Sequence, residues 1–109
     1  MRKLGQHGFH ATLAAVRGRA LVVFTSEGCS VCGRLKAILE QSPPPDVEMF
    51  EVDAHHASAT AAELEVFHLP AMFLFVDGSY HAPVHAALNA AALHQAILDA
   101  AHEPAQEPP

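Results

Sequence analysis

The stretch Ala20-Leu21-Val22-Val23-Phe24-Thr25-Ser26-Glu27-Gly28-Cys29-Ser30-Val31-Cys32 decides how the chain is read. Its first five residues are continuously apolar with β-branched members, the pattern of a strand buried on both faces. A short polar turn follows, and then a C-x-x-C pair opens a region in which apolar residues recur at Val31, Leu35, Ile38 and Leu39, one stripe along a helix. This order places Cys29 at a helix N-terminus, where unsatisfied N–H groups and the macrodipole favour negative charge by about 0.3 to 2 kcal/mol. Cys29 is therefore expected to have a depressed pKa, and only its thiolate attacks a disulfide. Cys32, on the same side of the first helical turn, is placed to attack the resulting mixed disulfide and release the substrate.

Working outward, Phe9 to Val16 reads as a short helix ended by Arg17-Gly18-Arg19. Ser42-Pro43-Pro44-Pro45-Asp46 stops the cysteine helix, and Val47 to Val52 suits a second buried strand. Ala57 to Phe67 reads as a helix with Leu64 and Phe67 on one side. Met72 to Val76 is the clearest strand, and Asp77-Gly78 after it is a two-residue hairpin signal. The return strand, Ser79 to Val84, is confined to an edge by Pro83. Ala86 to Ala101, carrying Leu88, Leu93 and Ile97, is the last helix. Alternating elements of this kind imply an α/β fold, a central mixed sheet of about four strands flanked by helices, with an antiparallel edge. Residues 1–101 form one domain. Residues 102–109, with three prolines and no large apolar side chain, are expected to be a flexible tail.

The chain of 109 residues suffices for one domain that buries roughly 65% of its unfolded surface. Half its residues are apolar and 17% charged, which argues against disorder. A formal charge of -6, with no basic run longer than Arg2-Lys3, excludes a nucleic-acid-binding role. The longest apolar stretch, Pro70 to Val76, is far shorter than the roughly 20 residues of a membrane-spanning helix. Gly5, Gln6, His7, Gly8 and His10 interrupt the region where an export signal needs apolar continuity, so the cytoplasm is the expected location. Two cysteines are too few for a disulfide framework, and their spacing is that of redox or metal chemistry in a reducing compartment.

Two other readings compete with redox exchange. Cys29, Cys32 and two of the nine histidines could complete a tetrahedral metal set, His81 with His85 or His55 with His56 being the available pairs. Pro83 lies between the former two and a lone C-x-x-C carries no second knuckle, so no metal is expected. The chain could instead be a non-catalytic adaptor that grips partners around Cys29 and Pro70. Asp53, Glu63 and Glu65 read as solvated flanking charges.

From about Ala20 to Ala101 the sequence resembles the thioredoxin family. The matched features are the strand leading into Cys29-Ser30-Val31-Cys32, the His68-Leu69-Pro70 step before Met72-Phe73-Leu74-Phe75, and the Asp77-Gly78 turn. The resemblance implies a cis Leu69–Pro70 bond facing the cysteine pair, with Leu69 offering backbone N–H and C=O groups to an extended substrate. Gly28, Ser30, Val31, Leu69 and Pro70 would then form the substrate surface. His68 is the histidine expected to approach Cys29, while Glu27 disfavours a second negative charge there; both are candidates for tuning its pKa. The implied function is thiol–disulfide exchange with protein disulfides through Cys29 and Cys32. It needs an electron donor and no cofactor, and the chain acts as a monomer. Three departures narrow the expected substrate range. Gly28 stands where the family usually has an aromatic residue, Ser30-Val31 stands where a Gly-Pro pair is common, and Val23 and Met49 occupy the positions of thioredoxin's buried Asp and Lys. Only Met1 to Leu4 remain for a first strand.

Overall fold

A computed structural model describes residues 1–109. Its elements in chain order are β1 (Arg2–Lys3), α1 (Phe9–Ala15), β2 (Arg19–Thr25), α2 (Ser30–Gln41), β3 (Val47–Asp53), α3 (Ser58–Glu63), β4 (Ala71–Val76), β5 (Ser79–Val84) and α4 (Ala90–His102). The five strands form one sheet in the order β1-β3-β2-β4-β5, parallel from β1 to β2 and antiparallel from β2 to β5. This is the expected mixed sheet flanked by helices, with five strands where about four were expected. β1 is two exposed residues paired with Phe50 and Glu51, so it offers backbone to the sheet and no apolar pattern to read.

β2 lies at the centre and is buried on both faces, which explains its unbroken apolar sequence. Ala20, Val22 and Phe24 face a core shared with Phe9 and Leu13 of α1, Ala61 of α3, Phe50, Val52, Phe73 and Phe75. Leu21 and Val23 face the other side, against Leu35 and Leu39 of α2 and Leu93 and Ile97 of α4. The hairpin turn has positive φ at both Asp77 and Gly78. A Cβ at Gly78 would stand 2.6 Å from the Ala14 carbonyl oxygen, so the position is closed to any other residue.

Two helices differ from expectation at their ends. α3 stops at Glu63, because Glu65 adopts a positive φ of 53° while the Glu65 N–H donates to Ala62 and the Val66 N–H to Ala61, closing a Schellman motif. Phe67, expected within that helix on the same side as Leu64, therefore lies outside it and is 81% exposed. α4 begins at Ala90, not Ala86, where the extended Asn89 caps it by accepting the Ala92 N–H at 2.8 Å. Beyond α4, the Gln106 N–H donates to the His81 carbonyl at 2.7 Å. No helix is long and apolar enough to cross a membrane.

Candidate active site

The turn after β2 runs through Gly28, at φ 80°, into Cys29, whose extended backbone makes it the N-cap of α2. Its Sγ accepts the Cys32 N–H at 3.2 Å and is bonded to the Cys32 sulfur as a disulfide. The first turn of α2 carries no acidic side chain. Cys29 is half-buried, while Cys32 is 2% exposed and held against the sheet. One sulfur can be met by a partner. The other is nearly closed to solvent.

Both cysteines open onto a pocket of about 490 Å³ that Glu27, Lys36, Glu51, Asp53 and His56 also line. Lys36 Nζ lies 2.9 Å from Glu51 Oε2, and the Thr25 hydroxyl donates to the same oxygen at 2.8 Å. Burial pushes the Glu51 carboxyl up, but the bonds from Lys36 and Thr25 and the charges of Lys36 and Lys3 outweigh it, and its pKa is lowered. Asp53 is lowered too: its Oδ1 accepts backbone N–H bonds from His56 at 3.1 Å and His55 at 2.9 Å, which together outweigh desolvation. Of the titratable groups lining this pocket, the sequence points to Glu27 and the two cysteines for the exchange chemistry, to His56 only as an alternative metal ligand and to Asp53 only as a flanking charge. Lys36 was legible as the residue one turn beyond Cys32. Glu51 was legible only as a charge inside an otherwise alternating strand.

The Leu69–Pro70 bond is cis, as the resemblance implied. Ala71 pairs with Phe24, so Pro70 sits at the end of the sheet from which the cysteine turn emerges. Leu69 and Pro70 are half-buried, Gly28 and Ser30 exposed, and Val31 half-buried. His68 is exposed and lines a second groove, of about 430 Å³, with Phe67, Pro70, Met72, Tyr80 and Pro83. The structure thus places His68 beside Pro70, whereas the histidine lining the cysteine pocket is His56. Tyr80 in the groove has its pKa raised by burial. Val23 and Met49, the positions of the family's buried pair, lie among the aliphatic side chains packed between the sheet, α2 and α4.

A cysteine that caps a helix, bonded to a buried cysteine one turn later at the end of a mixed sheet, defines a dithiol–disulfide protein of α/β architecture. Residues 1–99 match the thioredoxin family, and the chain belongs to that family. Its C-x-x-C pair makes it, in general terms, a thiol–disulfide oxidoreductase. Among solved structures it is similar to the zinc-bound form of human ERp44, with a TM-score of 0.78 and 21% identity over 91% of this chain and 31% of that one. It is likewise similar to oxidised thioredoxin from Plasmodium falciparum, with a TM-score of 0.75 and 20% identity over 91% of this chain and 96% of that one. The chain spans about a third of ERp44. At these identities the likeness is one of fold. No curated protein sequence matches the chain.

Proposed function

We propose that the chain exchanges electrons with protein disulfides, with Cys29 as the attacking thiolate and Cys32 as the resolving thiol. The observation that carries this reading is the asymmetry of the pair. Cys29 Sγ accepts a helix N–H at 3.2 Å in a position open to solvent, while Cys32 is sealed against the sheet. The same N–H and the helix terminus stabilise negative charge on Cys29 when the disulfide is opened. Gly28, Ser30 and Val31 on one side and Leu69 and Pro70 on the other are the proposed substrate surface. Tuning of Cys29 falls to Glu27, which shares its pocket, rather than to His68. With the glycine at position 28 this surface presents little side chain of its own, which supports a narrow set of partners. The proposed setting is the cytoplasm, where a dithiol is kept in turnover, and the working unit a monomer that receives electrons from a separate donor.

Alkylation of the reduced protein tests the assignment. Cys29 should be modified near neutral pH and Cys32 protected until the protein unfolds. Cys32→Ser should accumulate mixed disulfides with partner proteins. Equal rates at the two thiols, or normal turnover by Cys32→Ser, would sink it.

A further inference from the structure

Glu51 is a charged residue in the middle of a strand, its side chain only 11% exposed, on the wall of the pocket that also reaches Cys32. The β2–β3 register sets it directly beside Val23, on the face of the sheet that α2 covers. Cys32 and Lys36 are one turn apart on α2, so the helix that carries the buried sulfur also carries the cation that holds this carboxylate. Cys32, 2% exposed, lines this pocket together with Glu51 and Lys36, so the pocket offers its sulfur a route for proton exchange.

We propose that Glu51 is the proton acceptor and donor for Cys32, with Lys36 and Thr25 as the residues that position it. This rests on the dithiol-exchange reading and names a part that reading lacks. The step balances as follows. In the mixed disulfide, Cys29 is bonded to a substrate sulfur; the Cys32 thiol proton passes to the Glu51 carboxylate, directly or over solvent in the pocket. The Cys32 sulfur then bonds to that of Cys29, and the bond from Cys29 to the substrate breaks. The substrate sulfur leaves as a thiolate and takes a proton from solvent, and Glu51 returns its own proton to solvent. Two electrons move from the cysteine pair to the substrate disulfide.

Ionising Cys32 into bulk solvent would add an uncompensated anion to a buried site. Passing the proton to Glu51 leaves the charge of the pocket unchanged, and the Lys36 ammonium then faces a thiolate in place of a carboxylate. The other acids of the pocket are less suited. Asp53 has one oxygen occupied by two backbone N–H groups, and Glu27 is exposed on the turn. Lys3 and His56 complete the charged and titratable groups facing the pocket, and the variants below leave them in place.

The test follows reduced protein reacting with an excess of the coloured aromatic disulfide dithiobis(nitrobenzoate). The first release of coloured thiolate reports attack by Cys29 and rises with reagent concentration; the second, independent of concentration, reports attack by Cys32. In the wild type the second rate should stay nearly flat between about pH 5.5 and 7.5, since the acceptor is ionised throughout. Glu51→Gln should lose that plateau, falling about tenfold per pH unit and at least about tenfold below wild type at pH 6, while the first release still rises with reagent concentration. Lys36→Met should keep a plateau but move its acid limb to higher pH, because burial then meets less opposition at Glu51. Glu51→Asp should restore part of the plateau. A second phase with the wild-type pH profile in Glu51→Gln would overturn the assignment while leaving dithiol exchange intact. A wild type with no second phase would overturn both.

Discussion

Two hollows open at the end of the sheet where β2 and β4 meet, and they differ in almost every property except size. The cysteine pocket, about 490 Å³, is walled by Lys36, Glu51, Asp53 and Glu27 around two sulfurs. The groove beyond Pro70, about 430 Å³, is walled by Val66, Phe67, Met72, Tyr80 and Pro83. Charge acts on the reacting sulfurs only from close by, because solvent screens it beyond roughly 8 to 10 Å. Apolar area acts on whatever partner covers it. On the proposed reading, the difference separates proton and electron chemistry on one side of the exchange surface from apolar contact on the other. Substitutions in the two hollows should therefore move different quantities.

The largest expected effect is in the pocket. Cys29→Ser should reduce disulfide turnover to the uncatalysed background, since no other thiol can begin the exchange. No substitution in the groove should approach this. A groove variant that abolished turnover while still folding would break the division.

Stability comes next. Lys36→Met leaves Glu51 largely buried without its cation and should cost about 1 to 3 kcal/mol at pH 7, below the cost for a fully buried pair because Lys36 is itself partly exposed. The sign of its pH dependence is fixed. In the wild type the folded-state pKa of Glu51 is lowered, so its contribution is present above the ordinary Glu range and is lost as pH falls through the lowered folded value. Without Lys36, burial is opposed only by the Thr25 bond and the Lys3 charge, so that pKa rises from its wild-type value and the ionised carboxylate is less well tolerated. Denaturation curves should show the gap between variant and wild type shrinking as pH falls below about 4. A gap constant from pH 7 to 3 would mean that Lys36 acts through packing and not through Glu51.

How much of this was legible in the sequence follows from what each element is held by. β2 and β4 were legible because burial on both faces demands unbroken apolar runs, and the hairpin because Asp77-Gly78 has few alternatives. β1 was not, since Arg2 and Lys3 are two exposed, charged residues with no apolar pattern. The end of α3 was hidden because its left-handed residue is Glu65 where a glycine is usual. The cysteine pair could be read in full from local order. Glu51 and Lys36 could not, because they are 15 positions apart (51 minus 36) and meet only through the packing of α2 on β3. Phe67 was placed on the helix beside Leu64, and lies beyond it, for the same reason as the end of α3.

Phe67 sharpens the comparison from the groove side. Its ring is exposed, so Phe67→Ser should leave stability within about 0.5 kcal/mol. Turnover of a protein substrate with apolar residues beside its disulfide should show a KM raised about 3- to 10-fold at unchanged kcat. Turnover of a small polar disulfide should not change at all. A fall in kcat with both substrates would place Phe67 in the chemistry of the sulfurs.

The smallest effect is the most discriminating for the boundary between the hollows. His68 stands two residues before Pro70 but is exposed and lines the groove, so whatever charge it carries is held in water. Glu27 is also exposed but lines the pocket of Cys29. Thiolate absorbance of Cys29 against pH reads both influences on one scale. In His68→Ala the titration curve should superimpose on the wild type within about 0.2 pH unit, because an exposed charge outside the pocket is screened. In Glu27→Gln the midpoint should move down, since a neighbouring negative charge that opposed the thiolate has gone, by no more than about half a unit for so exposed a group. The ordering of the two variants is what matters. Were His68→Ala to raise the midpoint by more than Glu27→Gln lowers it, the groove and the pocket would be one electrostatic unit, and the histidine beside Pro70 would belong to the activation of Cys29 after all.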